Sequence, residues 1–165
     1  MDGDRILDTL RVRFGDAVVE THAHRGDHTA VVDRAALPDV LRFCRDEPGL
    51  AFDVLMDLTA VDDLRFPGRE DGPRFEVVYH LYSLAENHRL RLKVRVDEDD
   101  AVVPTASDVW AIANWLEREV WDMFGVRFDG HPDLRRLLMY EEFSGHPLRK
   151  DYPVNRRQPL IGPRI

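Results

Sequence analysis

At 165 residues, 44% hydrophobic and 33% charged, the chain has the size and composition of one soluble globular domain with an appendage. A formal charge of −8 argues against general nucleic-acid binding, and no apolar run approaches the ~20 residues of a membrane span. One cysteine, Cys44, excludes an internal disulfide framework and any all-cysteine zinc or iron–sulfur site built from this chain alone.

The opening Met1-Asp2-Gly3-Asp4 leads into an amphipathic stretch, not a basic-then-apolar leader, so the cytoplasm is the simplest compartment. Ile6, Leu7, Leu10 and Phe14 recur at helical spacing after Asp4, and Gly15 supplies the stop. Residues 17–23 and 29–33 read as two short strands joined by Arg25-Gly26-Asp27. His22, His24 and His28 share this hairpin and read as an exposed face. Pro38 opens a second helix striped by Val40, Leu41 and Cys44. Residues 52–60 alternate as a half-buried strand, and residues 64–74, with Pro67-Gly68 and Gly72-Pro73, read as a loop. Residues 75–84 are apolar on both faces, as a central strand would be. Its neighbour puts Leu90, Leu92, Val94 and Val96 inward and Arg89, Arg91, Lys93 and Arg95 outward, a cation row suited to discouraging edge pairing. Strands that follow one another through short turns predict an antiparallel sheet packed by helices on one face: an α+β domain over residues 1–128.

From Ser107 a third helix is predicted, with Val109, Ile112, Ala113, Leu116, Val120, Met123 and Phe124 as its core stripe and Gly125 as its stop. At 100° per residue, Trp110, Asn114, Glu117 and Trp121 fall on a second stripe beside that face. Trp115 and Glu119 lie on the opposite flank, with Arg118 and Asp122 towards the back. The two indoles on that second stripe, Trp110 and Trp121, are costly to leave in water, so the closing segment and a partner are expected to cover them together. Glu117, Glu119 and Asp122 read as ion-pair partners for a basic segment rather than as paired catalytic acids, since no nucleophile, oxyanion donor or metal-ligand set accompanies them.

Residues 129–165 form that segment, an extended Pro/Gly-rich tail. They hold Gly-His-Pro twice, at 130–132 and 145–147, each followed by a basic cluster. Residues 130–165 carry seven Lys and Arg against four Asp and Glu; this net +3 leaves −11 on residues 1–129. The repeated Gly and Pro rule out a long helix, with at most one helical turn near 134–140. Yet Leu137, Leu138, Met139, Tyr140, Phe143, Leu148 and Tyr152 make the tail too apolar for a solvated linker. This is the composition of a docking arm: proline lowers the entropy lost on binding, and arginines form paired bonds to carboxylates. His131 and His146 have no metal-ligand spacing and read as turn-holding side chains. Phosphate loops, nucleophile elbows and His-Glu-x-x-His are absent from the sequence, so no cofactor or metal site is expected on this chain.

Residues 117–125 (EREVWDMFG), 130–136 (GHPDLRR) and 145–153 (GHPLRKDYP) together resemble the C subunit of the proton-pumping NADH–quinone oxidoreductase, respiratory complex I. The resemblance implies a small hydrophilic member of the peripheral arm, peripheral to the cytoplasmic side of the cell membrane and not inserted in it. It would dock mainly on the D subunit, the large subunit of that arm, among other complex I subunits. FMN and the iron–sulfur clusters would sit in other subunits. NADH oxidation, electron transfer and quinone reduction would belong to the assembly, with this chain a scaffold without a catalytic site. Candidate interface residues are Trp110, Glu117, Glu119, Trp121, His131, Arg135, Arg136, His146, Arg149, Lys150 and Tyr152. Two other readings stand beside it: the equivalent subunit of a membrane-bound nickel–iron hydrogenase, and a stand-alone soluble enzyme using the carboxylates or histidines.

Overall fold

The computed structural model describes residues 2–69 and 72–159; the predicted tail's last residues, 160–165, lie outside the described residues. Helix α1 (Gly3–Phe14) is followed by the hairpin β1 (Val18–His24) and β2 (Asp27–Val32), then α2 (Leu37–Asp46). Strands β3 (Val54–Asp62), β4 (Phe75–Ser83) and β5 (His88–Val96) form a meander, and β6 (Val102–Pro104), α3 (Ala113–Phe124) and β7 (Arg127–Asp129) follow.

The main sheet has the order β1-β2-β5-β4-β3. Three of its pairings are antiparallel, as expected, but β2 runs parallel to β5. The sheet is therefore mixed, because α2 carries the chain from β2 across to the far edge and the meander returns inward. Consequently β5 is an inner strand. Its outward cations do not guard an edge; they answer anions on the same face. Lys93 and Arg95 pair with Glu76 at 2.7 and 2.9 Å, and Arg91 with Asp27 at 3.0 Å.

The opposite face carries the core. Alternate residues Phe75, Val77, Tyr79 and Leu81 of β4 and Leu90, Leu92, Val94 and Val96 of β5 meet Ile6, Leu7 and Leu10 of α1, Leu37, Val40, Leu41 and Cys44 of α2, and Val120, Met123 and Phe124 of α3. Cys44 is fully buried among these side chains, and that burial pushes its thiol up to about 12. A second, two-stranded parallel sheet joins β6 to β7. Its three-residue strands are too short to show a period, and they bury Val103 and Phe128 in the core.

Candidate functional site: the tail strapped to the last helix

Helix α3 begins at Ala113, six residues later than its pattern suggests. Residues 106–112 fold instead as turns, with Val109 and Trp110 N–H both bonded to Ala106 O. This changes where the first indole goes. Trp110 is 6% exposed in the core, and its Nε1–H donates to Phe52 O at 3.2 Å. It is not a surface anchor. Ile112, assigned to the core stripe, is 49% exposed for the same reason.

Past α3 the chain turns at Gly125, whose φ of +80° is a left-handed conformation. A Cβ there would lie 2.6 Å from Arg149 Nη2 and 2.7 Å from the His146 ring, so glycine is required for space as well as conformation. The tail then folds back on the body at three places.

The first is the root. His131 Nδ1 accepts Asp133 N–H at 3.0 Å, which leaves the proton on Nε2 for donation to Asn114 O at 3.1 Å. Arg118 donates to Arg135 O and Arg136 O at 3.1 and 3.0 Å while its guanidinium lies 4.9 Å from the Trp115 ring centre. The tail's own carbonyls thus order a helix side chain.

The second is Asp122, fully buried on the helix face the sequence leaves at the back. Its Oδ2 accepts the successive N–H groups of Leu137, Leu138 and Met139 at 3.0, 2.8 and 2.9 Å, and its Oδ1 meets Arg136 at 2.5 Å. The predicted helical turn near 134–140 is not formed, because three consecutive amides are curled around one carboxylate instead. Burial alone would raise this acid's pKa; the amides and the guanidinium outweigh it and hold the carboxyl below its ordinary range. Arg136 also donates to Phe143 O and Gly145 O at 2.7 and 3.1 Å and lies over Trp121 and Phe143.

The third is the second Gly-His-Pro block, which caps α3. The last four carbonyls of a helix have no partner within it. Here Trp121 O takes Gly125 N–H at 2.8 Å, Asp122 O takes His146 Nδ1–H at 3.0 Å, Met123 O takes Leu148 N–H at 3.0 Å, and Phe124 O takes Arg149 Nε–H at 2.5 Å. The Arg149 charge also complements the negative end of the helix dipole. Burial, with Arg149 and Arg136 nearby, keeps His146 below the ordinary imidazole value, despite the bond to Asp122 O.

An ion cluster, buried at Asp62 and Arg74 and half exposed at Glu98 and Asp151, fastens the block to the sheet. Asp62, at the end of β3, accepts Arg74 Nε and Nη2 at 3.0 and 2.9 Å, Leu64 N–H at 3.0 Å and Lys150 N–H at 2.8 Å. Arg74 continues to Asp151 at 2.8 Å and to Glu98 at 2.7 Å, and its guanidinium is raised well above its ordinary pKa, chiefly by Asp62. Tyr152 stacks on Phe143 with ring centres 6.0 Å apart.

The sequence-predicted residues therefore separate into groups. Arg136, His146 and Arg149 hold the tail to its own body, Tyr152 stacks on Phe143 within the tail itself, and Trp121, half-buried, lies against His146 and Arg136. Glu117 does not meet the tail arginines as expected; it is fully buried and bonds Thr105 and Ala106. Arg135 is 69% exposed with Asp133 its ion-pair partner, and the Lys150 side chain and Glu119 face solvent. Asp122, read with the other helix carboxylates as an ion-pair partner for the basic segment, is one, with Arg136. Asp62, Arg74 and Arg118 carry no such signal in the sequence. Nothing in their spacing joins positions as far apart as 62, 74 and 151. Trp115, 53% exposed, is the tryptophan that the strap leaves in water.

Among the described residues no group of three or more His, Cys, Asp or Glu could hold a metal ion, and no helix is long and apolar enough to cross a membrane. The fold and site define a small α+β domain that carries its own C-terminal strap. The sequence pattern of the family described as "Respiratory-chain NADH dehydrogenase, 30 Kd subunit" matches residues 30–158. The NADH-quinone oxidoreductase C subunit of Geobacter sulfurreducens is 44% identical over 163 residues, 98% of this chain and 97% of that one. The C subunit of Roseiflexus sp. strain RS-1 is 46% identical over 158 residues, 96% of this chain and 88% of that one. Among solved structures, Nqo5 of the trypsin-resistant fragment (1–134) superposes with a TM-score of 0.70 at 33% identity, covering 81% of this chain and all of that one. A chain of the membrane-bound sulfane sulfur reductase, an archaeal respiratory membrane complex, superposes with a TM-score of 0.72 at 26% identity, covering 94% and 88%. The chain belongs to the respiratory-chain NADH dehydrogenase 30 Kd subunit family, and its relatives are subunits of the oxidoreductase complex of electron transport.

Proposed function

We propose that this chain is a non-catalytic scaffold within the peripheral arm of a proton-translocating NADH–quinone oxidoreductase, on the cytoplasmic side of the membrane, and that it docks on the large D subunit. NADH oxidation and quinone reduction are then the work of the assembly, with FMN and iron–sulfur clusters held by other subunits. The observation that carries this reading is Trp115. It is half exposed, braced by Arg118, and Arg118 is itself fixed by the tail carbonyls of Arg135 and Arg136. An exposed indole ordered before binding is the kind of group that anchors an interface, since its ordering entropy is already spent. Ile112 one turn earlier extends the apolar patch, and the exposed Arg135 adds a cation suited to an acidic rim.

The test is co-purification with the large D subunit. Reversing Arg135, Arg136, Arg149 and Lys150 together would not be informative, because Arg136 and Arg149 are internal fasteners. Trp115→Ala with Ile112→Ser, and separately Arg135→Glu with Lys150→Glu, leave the strap's hydrogen bonds in place. The first pair is expected to reduce recovery of the large partner by about tenfold or more. Undiminished recovery with both pairs removes the docking reading. The similarity to the archaeal sulfane sulfur reductase chain supports a second reading, the corresponding subunit of a related membrane-bound complex such as a nickel–iron hydrogenase. Nickel-binding cysteine pairs in the large protein that co-purifies would decide for that reading.

A further inference from the structure

Glu117 lies on α3 with none of its surface exposed. Its Oε1 accepts Ala106 N–H at 2.5 Å, and its Oε2 is 2.6 Å from Thr105 Oγ1. Thr105 Oγ1 is in turn 2.8 Å from Ser107 Oγ and accepts Ser107 N–H at 3.1 Å, and Ser107 is partly exposed. The carboxyl is thus the inner end of a two-hydroxyl chain that reaches the surface.

Its other neighbours offer little compensation for a charge. No lysine or arginine pairs with it among the described residues. From the tail root, His131 Nε2 is 3.9 Å away, but that N–H is already given to Asn114 O. From β4, the Tyr79 phenol is fully buried and has no hydrogen-bond partner, and the Asn114 Oδ1 on the same helix is likewise buried without one. From the turn before the helix, the Asp108 charge opposes a second anion.

We propose that Glu117 is a proton-binding site, loaded from solvent through Ser107 and Thr105, that sets how firmly the first Gly-His-Pro segment is held on α3. Loading moves one proton. Ser107 Oγ accepts it and passes its own to Thr105 Oγ1, which passes its own to Glu117 Oε2, so no other bond changes. In the neutral state the carboxyl donates to Thr105 and Thr105 to Ser107; in the ionised state both bonds reverse. The ionised form places a charge beside the apolar base of the sheet and draws His131 Nε2–H away from Asn114 O. Opening the root at Gly130-His131-Pro132 to water relieves that cost. Burial raises this carboxyl to about 7, against the Thr105 and Ala106 bonds and with the help of Asp108, so the two forms exchange near neutral pH. The site acts in the same way whichever protein the outer face meets.

The test is hydrogen–deuterium exchange of residues 129–139 in the full chain between about pH 6 and 8, corrected for intrinsic rates. Exchange in the unsubstituted protein is expected to quicken several-fold with a midpoint near 7. Glu117→Gln should abolish the dependence, and Thr105→Val should move the midpoint upward, because the bond that favours the anion is lost. Infrared titration of the unsubstituted chain provides a readout that does not require either variant to fold: a buried neutral carboxyl band should vanish with the same midpoint. Exchange that is flat across this range, a dependence that persists in Glu117→Gln, or a Glu117 that titrates with the exposed glutamates would each overturn the proposal.

Discussion

Asp122 and Arg136, fourteen residues apart in the chain, meet at 2.5 Å where the tail crosses α3. The carboxylate holds three tail amides with its other oxygen, and the guanidinium holds two tail carbonyls with its other nitrogen. The pair therefore organises the backbone on both sides of itself.

Removing the charge while keeping the shape isolates that role. Asp122→Asn presents an amide nitrogen to groups that are all donors and leaves the partly buried Arg136 without a counter-ion. A loss of about 3 kcal/mol in urea unfolding is expected. Proteolytic cleavage after Arg136 should become several-fold faster than in the unsubstituted chain. A variant with unchanged cleavage would mean that the amide nest is incidental.

Gly125→Ala tests the cap. The substitution adds left-handed strain of about 1–2 kcal/mol and a Cβ that displaces both His146 and Arg149. A thermal unfolding midpoint lowered by several degrees is expected, with increased amide exchange over residues 145–150. Normal exchange there would show that the second block is not bound through the helix end.

Arg74→Lys keeps the charge and loses the fork. One ammonium cannot reproduce the paired bonds to Asp62 together with contacts to Asp151 and Glu98. About 2 kcal/mol of stability should be lost in denaturant titration.

The two tryptophans at 110 and 115 should behave oppositely. Trp110→Ala empties a core site and is expected to cost about 3–5 kcal/mol. Trp115→Ala should change the stability of the isolated chain by less than about 1 kcal/mol while weakening recovery of the partner. Calorimetry of both variants separates packing from docking.

Stability should fall on both sides of an intermediate pH. Asp122, Asp62 and Asp151 have lowered pKa values, so their contribution is present above the ordinary carboxyl value and is lost as pH drops through the folded one. Glu117 has the reverse sign. Its folded value of about 7 exceeds the ordinary 4.5, so its contribution is complete below 4.5 and disappears as pH rises through 7. That second arm amounts to about 3 kcal/mol and should be missing in Glu117→Gln.

Much of this fold is legible without coordinates. The alternation of residues 88–96, the apolar run of 75–83 and the stripe of α2 each report a local period set by backbone geometry. The blocks EREVWDMFG, GHPDLRR and GHPLRKDYP likewise place the chain in its family. What local period does not report is the parallel meeting of β2 with β5, the late start of α3, or the two-stranded sheet of three-residue strands. Each depends on where distant segments arrive.

The same division runs through the tail. Its glycines, prolines and apolar residues declare by themselves an extended segment that must lie against a surface, because a chain without a helix or strand period cannot bury those groups alone. Which surface, and with which side chains, was settled only by folding. Hydrogen bonds reach about 3 Å, and Asp62, Asp122 and the end of α3 come that close to the tail only after the sheet and helix have been assembled. So Arg136, His146 and Arg149 became fasteners of this chain's own body, Trp110 became core, and Trp115 was left facing outward.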